Sequence, residues 1–425
     1  MHVVVCTVVH HPADARIFYR EIEALLDAGH DVTYIAPHGE AVTSRADGPA
    51  PGSPGTTPAS PPEPPAPHPP AETAVVPEAP ALVRDEDQDN SERTAASPGP
   101  APVTRGAAGA RRGTLRTVAI PRAAGRHRLG PLRAARAAMA AAVADADLLL
   151  VHDPELLLVL PPRRRRPPTV WDVHEDTAAA LTTKAWLPAW LRPVAAGGVS
   201  SAERLAERRL HLVLAEHGYN DRFAGTHPVV PNTTYVPAAA APPSGPRRVV
   251  YVGHISPDRG SREMTELGRL LQPHGIAVDL IGPADAAARA HIEAAGDAVT
   301  WHGFVPNADA LRLVEGALAG LSLLQDEENF RHSMPTKVAE YMARGVPVVT
   351  TPLPLAVELV QAADAGFIVP FNDPRSAADA ILKLDGDPGL RVETGRRAHE
   401  YARRNLAWPP YAAAFVSRLE TWARH

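Results

Sequence analysis

The sequence predicts an α/β protein of two Rossmann-like, doubly wound domains that face a central cleft. Short apolar runs alternate with segments of helical periodicity in two separate series, which is typical of parallel sheets. A segment rich in Pro and Ala, 236–247, divides the two series. The chain of 425 residues is also too long for one ordinary core. Doubly wound units bind ligands in the loops that follow their strands.

The first series forms a predicted N-terminal domain over residues 1–235. It opens with the apolar run Val3–Val9, followed by a helix that Asp14 caps and Gly29 ends. The further predicted elements are the strands Val32–Ala36, Leu148–Val151, Thr169–Val173 and Leu210–Ala215 and the helices Gly130–Asp145 and Ser200–Arg209.

A segment over about residues 39–113 interrupts this first series. It holds about a third of the chain's 46 prolines, beside many Ala, Gly and Ser residues. Such a composition buries too little apolar surface to offset the entropy lost on ordering. We therefore predict a disordered insertion.

The second series forms a predicted C-terminal domain over residues 236–405. Its predicted strands are Val249–Val252, Ala277–Ile281, Val299–His302, Gly320–Leu324 and Val346–Thr350. Its predicted helices are Arg262–Leu271, Ala284–Ala295, Ala308–Ala317, Pro335–Ala343 and Arg375–Leu384. We expect a last helix, within residues 406–425, to pack back toward the N-terminal domain.

Composition narrows the class of protein. The net charge of −5 gives no general attraction to nucleic acid. The single cysteine, Cys6, excludes an internal disulfide. No apolar run has the length of a membrane span, so we expect a cytoplasmic protein. The basic run Arg163–Arg166 with Trp186 and Trp190 leaves open a peripheral contact at the inner membrane face.

Common cofactor and metal motifs do not occur. No G-x-G-x-x-G follows a strand and there is no P-loop, so we predict no bound cofactor. Asp145-Ala146-Asp147 resembles a metal-binding D-x-D, but it spans a helix end and a strand start without a third ligand. The adjacent His10 and His11 side chains would rarely converge on one ion. We predict no metal site.

Two clusters in the second domain are candidates for a site. In Gly253–Gly260, backbone N–H groups, a helix N-terminus, His254 and Arg259 can bind a diphosphate. An ordinary turn explains that composition equally well. In the second cluster, Lys337, Glu340 and Arg344 recur beside an apolar helical stripe. By pattern alone, a solvent-facing helix with ion pairs is favoured there.

Together these clusters resemble the donor-binding half of family 4 of the retaining glycosyltransferases, and the resemblance covers nearly the whole chain outside the insertion. The family segment Glu-Ala-Met-Ala-x-Gly-x-Pro-Val matches from Glu340 onward, with Tyr341 in place of its first Ala. The resemblance implies a GT-B fold. It also implies that His254 and Arg259, at the family's Arg and Lys positions, contact the donor diphosphate, and that Glu340 binds the ribose.

The family's first Glu falls on His332, which is a departure, although Ser333-Met334-Pro335-Thr336-Lys337 resembles a branch without that Glu. The implied donor site consists of His254, Arg259, His332, Ser333, Lys337 and Glu340. The implied catalytic residues are His152, Arg259 and Lys337, and His152 resembles the family's histidine that contacts the transferred sugar.

Candidate acceptor-side residues follow strands of the first domain. They are His11, Asp14, Arg16, His174 and Glu175. Titratable groups at a strand's carboxyl end are well placed to orient an acceptor hydroxyl. For Asp14, a role as a helix cap is favoured over a role in the site. For His174 and Glu175, which follow the strand Thr169–Val173, a role on the acceptor side is as well supported as no such role.

The resemblance implies a metal-independent transferase that moves a sugar, with retention, from a UDP- or GDP-linked donor to a small-molecule, glycan or lipid-linked acceptor. Two alternatives stay open. One is an inactive sugar-nucleotide-binding protein, because His254 and His332 replace family residues. The other is an epimerase of the same architecture that acts on the sugar nucleotide alone.

Overall fold

The computed structural model describes residues 1–38, 111–123, 125, 128–174, 192–243, 245–331 and 333–424. These described residues belong to one compact unit. The predicted insertion, about 39–113, falls almost entirely outside them, as do Trp186 and Trp190.

The first six strands form one parallel sheet in the order β3-β2-β1-β4-β5-β6. The strands are β1 His2–Cys6, β2 Asp31–Pro37, β3 Leu115–Ile120, β4 Leu148–Val151, β5 Thr169–Val173 and β6 His211–Leu214. A π-helix, Ile17–Ile22, continues as α1 Glu23–Asp27, and the other helices are α2 Leu129–Ala142 and α3 Arg192–Glu207.

The next six strands form a second parallel sheet in the order β12-β11-β10-β7-β8-β9. The strands are β7 Arg248–Val252, β8 Ala277–Ile281, β9 Thr300–Gly303, β10 Ala319–Ser322, β11 Val348–Thr350 and β12 Gly366–Ile368. The helices are α4 Ser261–Leu271, α5 Ala286–Ala295, α6 Asn307–Val314, α7 Glu328–Arg331, α8 Thr336–Ala343, α9 Pro354–Ala363, α10 Pro374–Gly386 and α11 Pro388–Asn405.

Both sheets have the same topology, in which the first strand lies between the second and the fourth. The chain direction of the connections therefore reverses at β1/β4 and again at β7/β10. Loops at the carboxyl ends of such strand pairs diverge and leave a crevice where ligands bind. The predicted fold of two doubly wound domains is confirmed, and each switch point marks a place to search for a site.

Several elements escaped the sequence prediction. Strand β3 lies at a sheet edge and is partly exposed, so its residues lack the apolar run of a central strand. Helix α11 buries only small or weakly apolar residues. Its Gly395 packs against the carbonyl oxygen of Gly345, and a Cβ on Gly395 would lie 2.1 Å from that oxygen. A helix that is buried through such small residues shows little apolar periodicity.

The last helix, α12 Trp408–Ala423, packs on the N-terminal sheet. Its buried residues Trp408, Phe415 and Leu419 belong to the same apolar cluster as Val3 of β1. Before it, the chain runs beside the linker, since the Thr234 N–H donates to the Leu406 carbonyl at 3.0 Å. Two adjacent segments of the chain, around Thr234 and around Leu406, therefore connect the two sheets. No helix in the described parts of the chain is both long enough and apolar enough to cross a bilayer.

Candidate functional site

The turn between β7 and α4 is shaped by two glycines. Gly253 has a φ of 131° and Gly260 a φ of 84°, a region of backbone conformation that favours glycine. A Cβ on Gly260 would lie 2.2 Å from the carbonyl oxygen of Leu323, so no side chain fits there. The turn thus brings the N-terminus of α4, with its free N–H groups, to the carboxyl edge of the sheet.

Arg259 supplies the permanent positive charge of this turn. Its guanidinium lies over the Phe330 ring at 5.3 Å, and it also interacts with the Tyr251 hydroxyl, whose O–H donates to the His254 carbonyl at 2.7 Å. Partial burial, and then the charge of Arg259, lower the pKa of His254, so this imidazole is neutral near pH 7. Of the two predicted diphosphate contacts, only Arg259 carries a charge there.

Helix α8 is buried on every side, so the interpretation of a solvent-facing helix with ion pairs is wrong. Lys337, Glu340 and Arg344 are 6%, 6% and 7% exposed. The reason is Tyr341, whose hydroxyl accepts from the Val252 N–H at 3.0 Å and donates to the Leu321 carbonyl at 3.1 Å. These bonds hold α8 against β7 and β10, directly at the switch point.

Lys337 and Glu340 lie on this helix beside further positive groups. Burial, and then Arg259, lower the pKa of Lys337 to about 7. The ammonium lies 5.2 Å from the centre of the Tyr251 ring. Glu340 interacts electrostatically with Lys337, with Arg344 and with Arg20 of the N-terminal domain. The edge of the second sheet therefore holds more buried basic groups than acidic ones.

The segment that leads into α8 touches the N-terminal domain. The Met334 N–H donates to Glu216 Oε1 at 2.9 Å, and burial raises the pKa of Glu216 to about 7. Ser333 donates its N–H to the Phe330 carbonyl at 3.3 Å. His332, a predicted donor-site residue, lies outside the described residues. Neither Glu216, which follows β6, nor Arg20, on the helix Ile17–Ile22, was predicted, because they share no local motif with α8.

At the edge of the first sheet, Asp172 joins three side chains. Arg16 binds its carboxylate through two N–H groups, at 2.7 and 2.6 Å. His152 Nδ1 and His174 Nδ1 lie 3.1 and 3.2 Å from Asp172 Oδ2. Burial works to raise the pKa of Asp172, but Arg16 and the hydrogen bonds hold it well below its ordinary value.

Arg16 does not fit its predicted role as an acceptor contact. It is 5% exposed, and its remaining Nη1 donates to the Val230 carbonyl at 2.8 Å and to Asn232 Oδ1 at 3.1 Å. A guanidinium with four of its donors already used has little left for a ligand. We assign Arg16 instead to orienting Asp172, and through it the two histidines.

His152 is fully buried beneath this network. Its Nε2 lies 3.5 Å from Glu21 Oε2, and neither atom has a hydrogen bond among the described residues. Burial, and then the nearby Asp172, raise the pKa of Glu21 well above its ordinary value, whereas burial lowers that of His152. The His152 imidazole is therefore neutral near pH 7, and it keeps one ring nitrogen for a further partner.

Asp153 and His10 extend the network beyond the predicted residues. Asp153 accepts from the Thr7 hydroxyl at 2.8 Å and from the Val8 N–H at 2.5 Å. His10 Nε2 lies 3.2 Å from Asp153 Oδ1 and 2.9 Å from His174 Nε2. Both residues could have been predicted from the sequence. Asp153 is the neighbour of the predicted site residue His152, and His10 is the neighbour of His11.

The other acceptor-side candidates differ in what they do. Asp14 Oδ1 accepts from the N–H groups of Arg16 and Ile17, at 2.8 and 3.0 Å, so it caps the π-helix as favoured. The His11 ring lies 4.7 Å from the Phe304 ring, which follows β9 of the other domain. Glu175 lies outside the described residues.

The spacing of His152, Asp172 and His174 would admit a metal ion, because one ligand atom of each lies within 4.8 Å of the others. Asp172 is, however, already neutralised by the Arg16 guanidinium. A cation at that carboxylate would be repelled by the guanidinium, which cannot give up its proton. The residues therefore fit a hydrogen-bonded network better than a metal centre.

Comparison with known sequences finds one family model and several partial relatives. A family model described as "Glycosyl transferases group 1" matches residues 246–387. A putative colanic acid biosynthesis glycosyltransferase of Escherichia coli is 28% identical over 177 residues, covering 39% of this chain and 44% of that protein. An exopolysaccharide phosphotransferase of Streptomyces coelicolor is 32% identical over 113 residues, covering 25% of this chain and 12% of that protein. The chain thus spans less than half the length of these two relatives.

Solved structures match the whole fold at low identity. Sucrose-phosphate synthase from Thermosynechococcus elongatus superposes with a TM-score of 0.62 and 16% identity, over 99% of this chain and 98% of that one. WaaG, a glycosyltransferase involved in lipopolysaccharide biosynthesis, gives 0.60 and 12%, over 97% and 98%. The chain therefore has the GT-B fold of glycosyltransferases, and its second domain is of the group 1 glycosyltransferase type.

Proposed function

We propose that this protein transfers a sugar from a nucleoside diphosphate sugar to an acceptor hydroxyl, with retention of configuration and without a metal ion, as family 4 of the retaining glycosyltransferases does. The observation that carries the proposal is the charge at the edge of the second sheet. Buried Lys337 and Arg344 lie beside one buried carboxylate, Glu340, and the partly exposed Arg259 adds positive charge beside Lys337, at the switch point of the domain that matches the glycosyltransferase model. Such an excess of buried positive charge stabilises an anion.

A nucleoside diphosphate fits this arrangement in both of its halves. The phosphates would lie at the α4 N-terminus, where the positive end of the helix dipole lies beside Arg259. The ribose hydroxyls would donate to Glu340, one helical turn from Lys337. Among the proteins with this fold, HepE of Anabaena has been solved in complex with UDP, with a TM-score of 0.53 and 15% identity over 72% of this chain and 86% of that one.

In the proposed reaction, the bond between the anomeric carbon and the β-phosphate oxygen breaks, and a bond to the acceptor oxygen forms on the same face. The acceptor proton passes to the leaving phosphate, so no protein nucleophile takes part. Negative charge grows on the diphosphate as it leaves. Arg259 and protonated Lys337 are positioned to neutralise that charge, which is the role that a metal ion has in other transferases. Glu340 would hold the ribose while this occurs.

The edge of the first sheet would bind the transferred sugar and the acceptor. His152 keeps one ring nitrogen without a hydrogen bond among the described residues, and Asp172 fixes the other. His174, also held by Asp172, would lie on the acceptor side with His11. Because Arg16 fixes Asp172, both histidines are pre-organised, which lowers the cost of orienting a substrate.

We further propose a glycan or lipid-linked acceptor and a cytoplasmic protein that contacts the inner membrane face. By their descriptions, one relative named above acts in colanic acid biosynthesis, one is an exopolysaccharide phosphotransferase, and WaaG acts in lipopolysaccharide biosynthesis. Arg163, Arg164 and Arg165 are exposed on the N-terminal domain and would attract an anionic lipid surface.

The proposal is tested by binding of UDP, GDP and their sugar conjugates in the presence of a chelator. Calorimetry on the wild-type chain should show binding of one of the two diphosphates, and Glu340→Ala should weaken it by at least about tenfold, the usual cost of losing a charge-assisted hydrogen bond. Glu266→Ala, which removes an exposed carboxylate from the same domain, is the matched control and should bind normally.

Three other results would count against parts of this assignment. Failure of every nucleotide to bind would contradict the donor site. Binding that requires a divalent cation would contradict metal independence. Conversion of the sugar nucleotide with no acceptor present would favour an epimerase over a transferase.

A further inference from the structure

Arg20 is a buried cation that reaches out of the N-terminal domain. It lies on the π-helix Ile17–Ile22, where the Glu21 N–H bonds to the Arg16 carbonyl, five residues back, at 3.0 Å. π-Turns are uncommon and concentrate at functional positions. The Arg20 side chain is 5% exposed and points to Glu340 of the other domain. A mere surface ion pair does not explain an arginine buried this deeply.

The Arg20–Glu340 pair is loose for two buried ions. Arg20 Nη2 and Glu340 Oε1 are 3.5 Å apart, and the described part of the chain offers no other hydrogen bond to this guanidinium or to Glu340 Oε2. Burying both ions costs more than a contact of that length returns. The pair thus keeps several N–H donors and one carboxylate oxygen for a polar ligand that both ions can reach.

A vicinal diol has the matching chemistry. Each hydroxyl can donate one hydrogen bond and accept others, so it can donate to Glu340 and accept from Arg20 at the same time. A lone phosphate would pair with Arg20 but be repelled by Glu340. The ribose of a nucleoside diphosphate supplies such a diol.

We propose that Arg20 is a specificity-determining residue of the donor site, contributed by the N-terminal domain, which binds the ribose hydroxyls together with Glu340. This inference rests on the proposed function. It extends that function by making ribose recognition depend on contact between the two domains. Donor binding and domain contact then stabilise each other.

A second contact supports this placement. Glu216, at the end of β6, accepts the Met334 N–H at 2.9 Å, so the N-terminal domain contacts the chain just before α8 as well as α8 itself. The position of Arg20 relative to Glu340 therefore depends on two contacts between the domains, Glu216–Met334 and Arg20–Glu340 itself.

The test compares UDP and GDP with their 2′,3′-dideoxy analogues on the full chain. Calorimetry should show that Arg20→Met raises the dissociation constant of the preferred diphosphate by about 10- to 100-fold while changing that of its dideoxy analogue little, because only the diol contacts are lost. Arg20→Lys keeps the positive charge but loses the planar set of N–H donors. Its dissociation constant for the diphosphate should lie between those of the wild type and Arg20→Met. Arg344→Met, which removes another cation that interacts with Glu340, should weaken both ligands alike.

Each other outcome is decisive. If Arg20→Met and Arg20→Lys bind the diphosphate as the wild type does while Glu340→Ala does not, the inference is wrong and the proposed function stands. Equal losses for diphosphate and dideoxy analogue, in variants that melt like the wild type, would show a structural role and overturn it as well. If the wild type binds no nucleotide, the proposed function fails and this inference fails with it.

Discussion

The carboxyl edges of the two sheets have the same topology but opposite electrostatic character. At the first edge, each buried acid has basic or hydrogen-bonding partners, as Asp172 has in Arg16 and Asp153 has in His10. At the second edge, Lys337 and Arg344 share one glutamate, Glu340, and Arg259 lies beside Lys337. The cation nearest to Glu340 is Arg20 of the N-terminal domain, at 3.5 Å. The buried charges at the first edge thus neutralise one another within the protein, whereas the second edge carries an excess of positive charge. Substitutions of charged residues at the edge of the first sheet should therefore lower the free energy of unfolding. Substitutions of charged residues at the edge of the second sheet should weaken ligand binding.

The largest expected effect is at the first edge. Asp172→Asn removes the carboxylate that binds Arg16 through two N–H groups, which leaves Glu21, at 3.1 Å from Arg16 Nε, as the remaining acidic partner of the buried guanidinium. We expect a loss of about 3–5 kcal/mol in the free energy of unfolding. Urea denaturation followed by circular dichroism measures it. Asp385→Asn, which breaks the surface pair with the half-exposed Arg247, is the control and should change stability little.

A stability change as small as that of the control would mean that the edge of the first sheet is not a closed network. The expectation that substitutions at the first edge reduce stability would then be wrong.

The second prediction concerns the packing that holds α8 at the other edge. A Cβ on Gly320 would lie 2.3 Å from the Tyr341 ring, so Gly320→Ala should cost about 1–3 kcal/mol of stability. In a Tyr341→Ala background that cost should vanish, because the ring is gone. Gly386→Ala, where a Cβ meets nothing within 4 Å, is the control. Additive losses in the double variant would show that Tyr341 does not position α8.

The third prediction uses the pKa of Lys337, which burial and Arg259 lower to about 7. Below pH 7 the ammonium is charged and attracts the diphosphate. Above pH 7 binding must take up a proton, so affinity should fall by at most about tenfold per pH unit. Calorimetry at pH 8 in buffers of different ionisation enthalpy would detect the uptake, and Lys337→Met should remove it.

Stability should respond to pH in the opposite direction. The unfolded lysine keeps its ordinary pKa of 10.5, so between pH 7 and 10.5 the unfolded state binds more protons than the folded one. Relative to Lys337→Met, the ligand-free wild type should therefore gain stability as pH rises through that window. Parallel pH profiles for the two proteins would contradict a buried, easily deprotonated Lys337.

Much of the fold was predictable because central strands are continuous apolar runs. Strand Thr169–Val173 was predicted with the observed bounds, and so was Ala277–Ile281. Partly exposed β3 and polar α11 escaped because their few apolar positions produce no clear period.

The candidate site was less predictable, because part of it depends on contacts that no local pattern encodes. Arg20 and Glu340 are 320 positions apart in the sequence, and Glu216 and Met334 are 118 apart. Helical periodicity placed Lys337 and Glu340 on a polar face, which predicts exposure unless another domain covers that face. The resemblance to known transferases identified those positions, while their burial and their partners required the structure.

The return of α12 to the first sheet affects how the protein is made. During synthesis, residues 1–235 leave the ribosome long before Trp408, Phe415 and Leu419, which cover Val3 and its neighbours. Domains generally fold in the order of their synthesis. Here the folding of the first domain cannot be completed until the second domain and α12 have been translated, because one apolar face of the first sheet is exposed until then. The nascent chain should therefore be a client of chaperones during that interval.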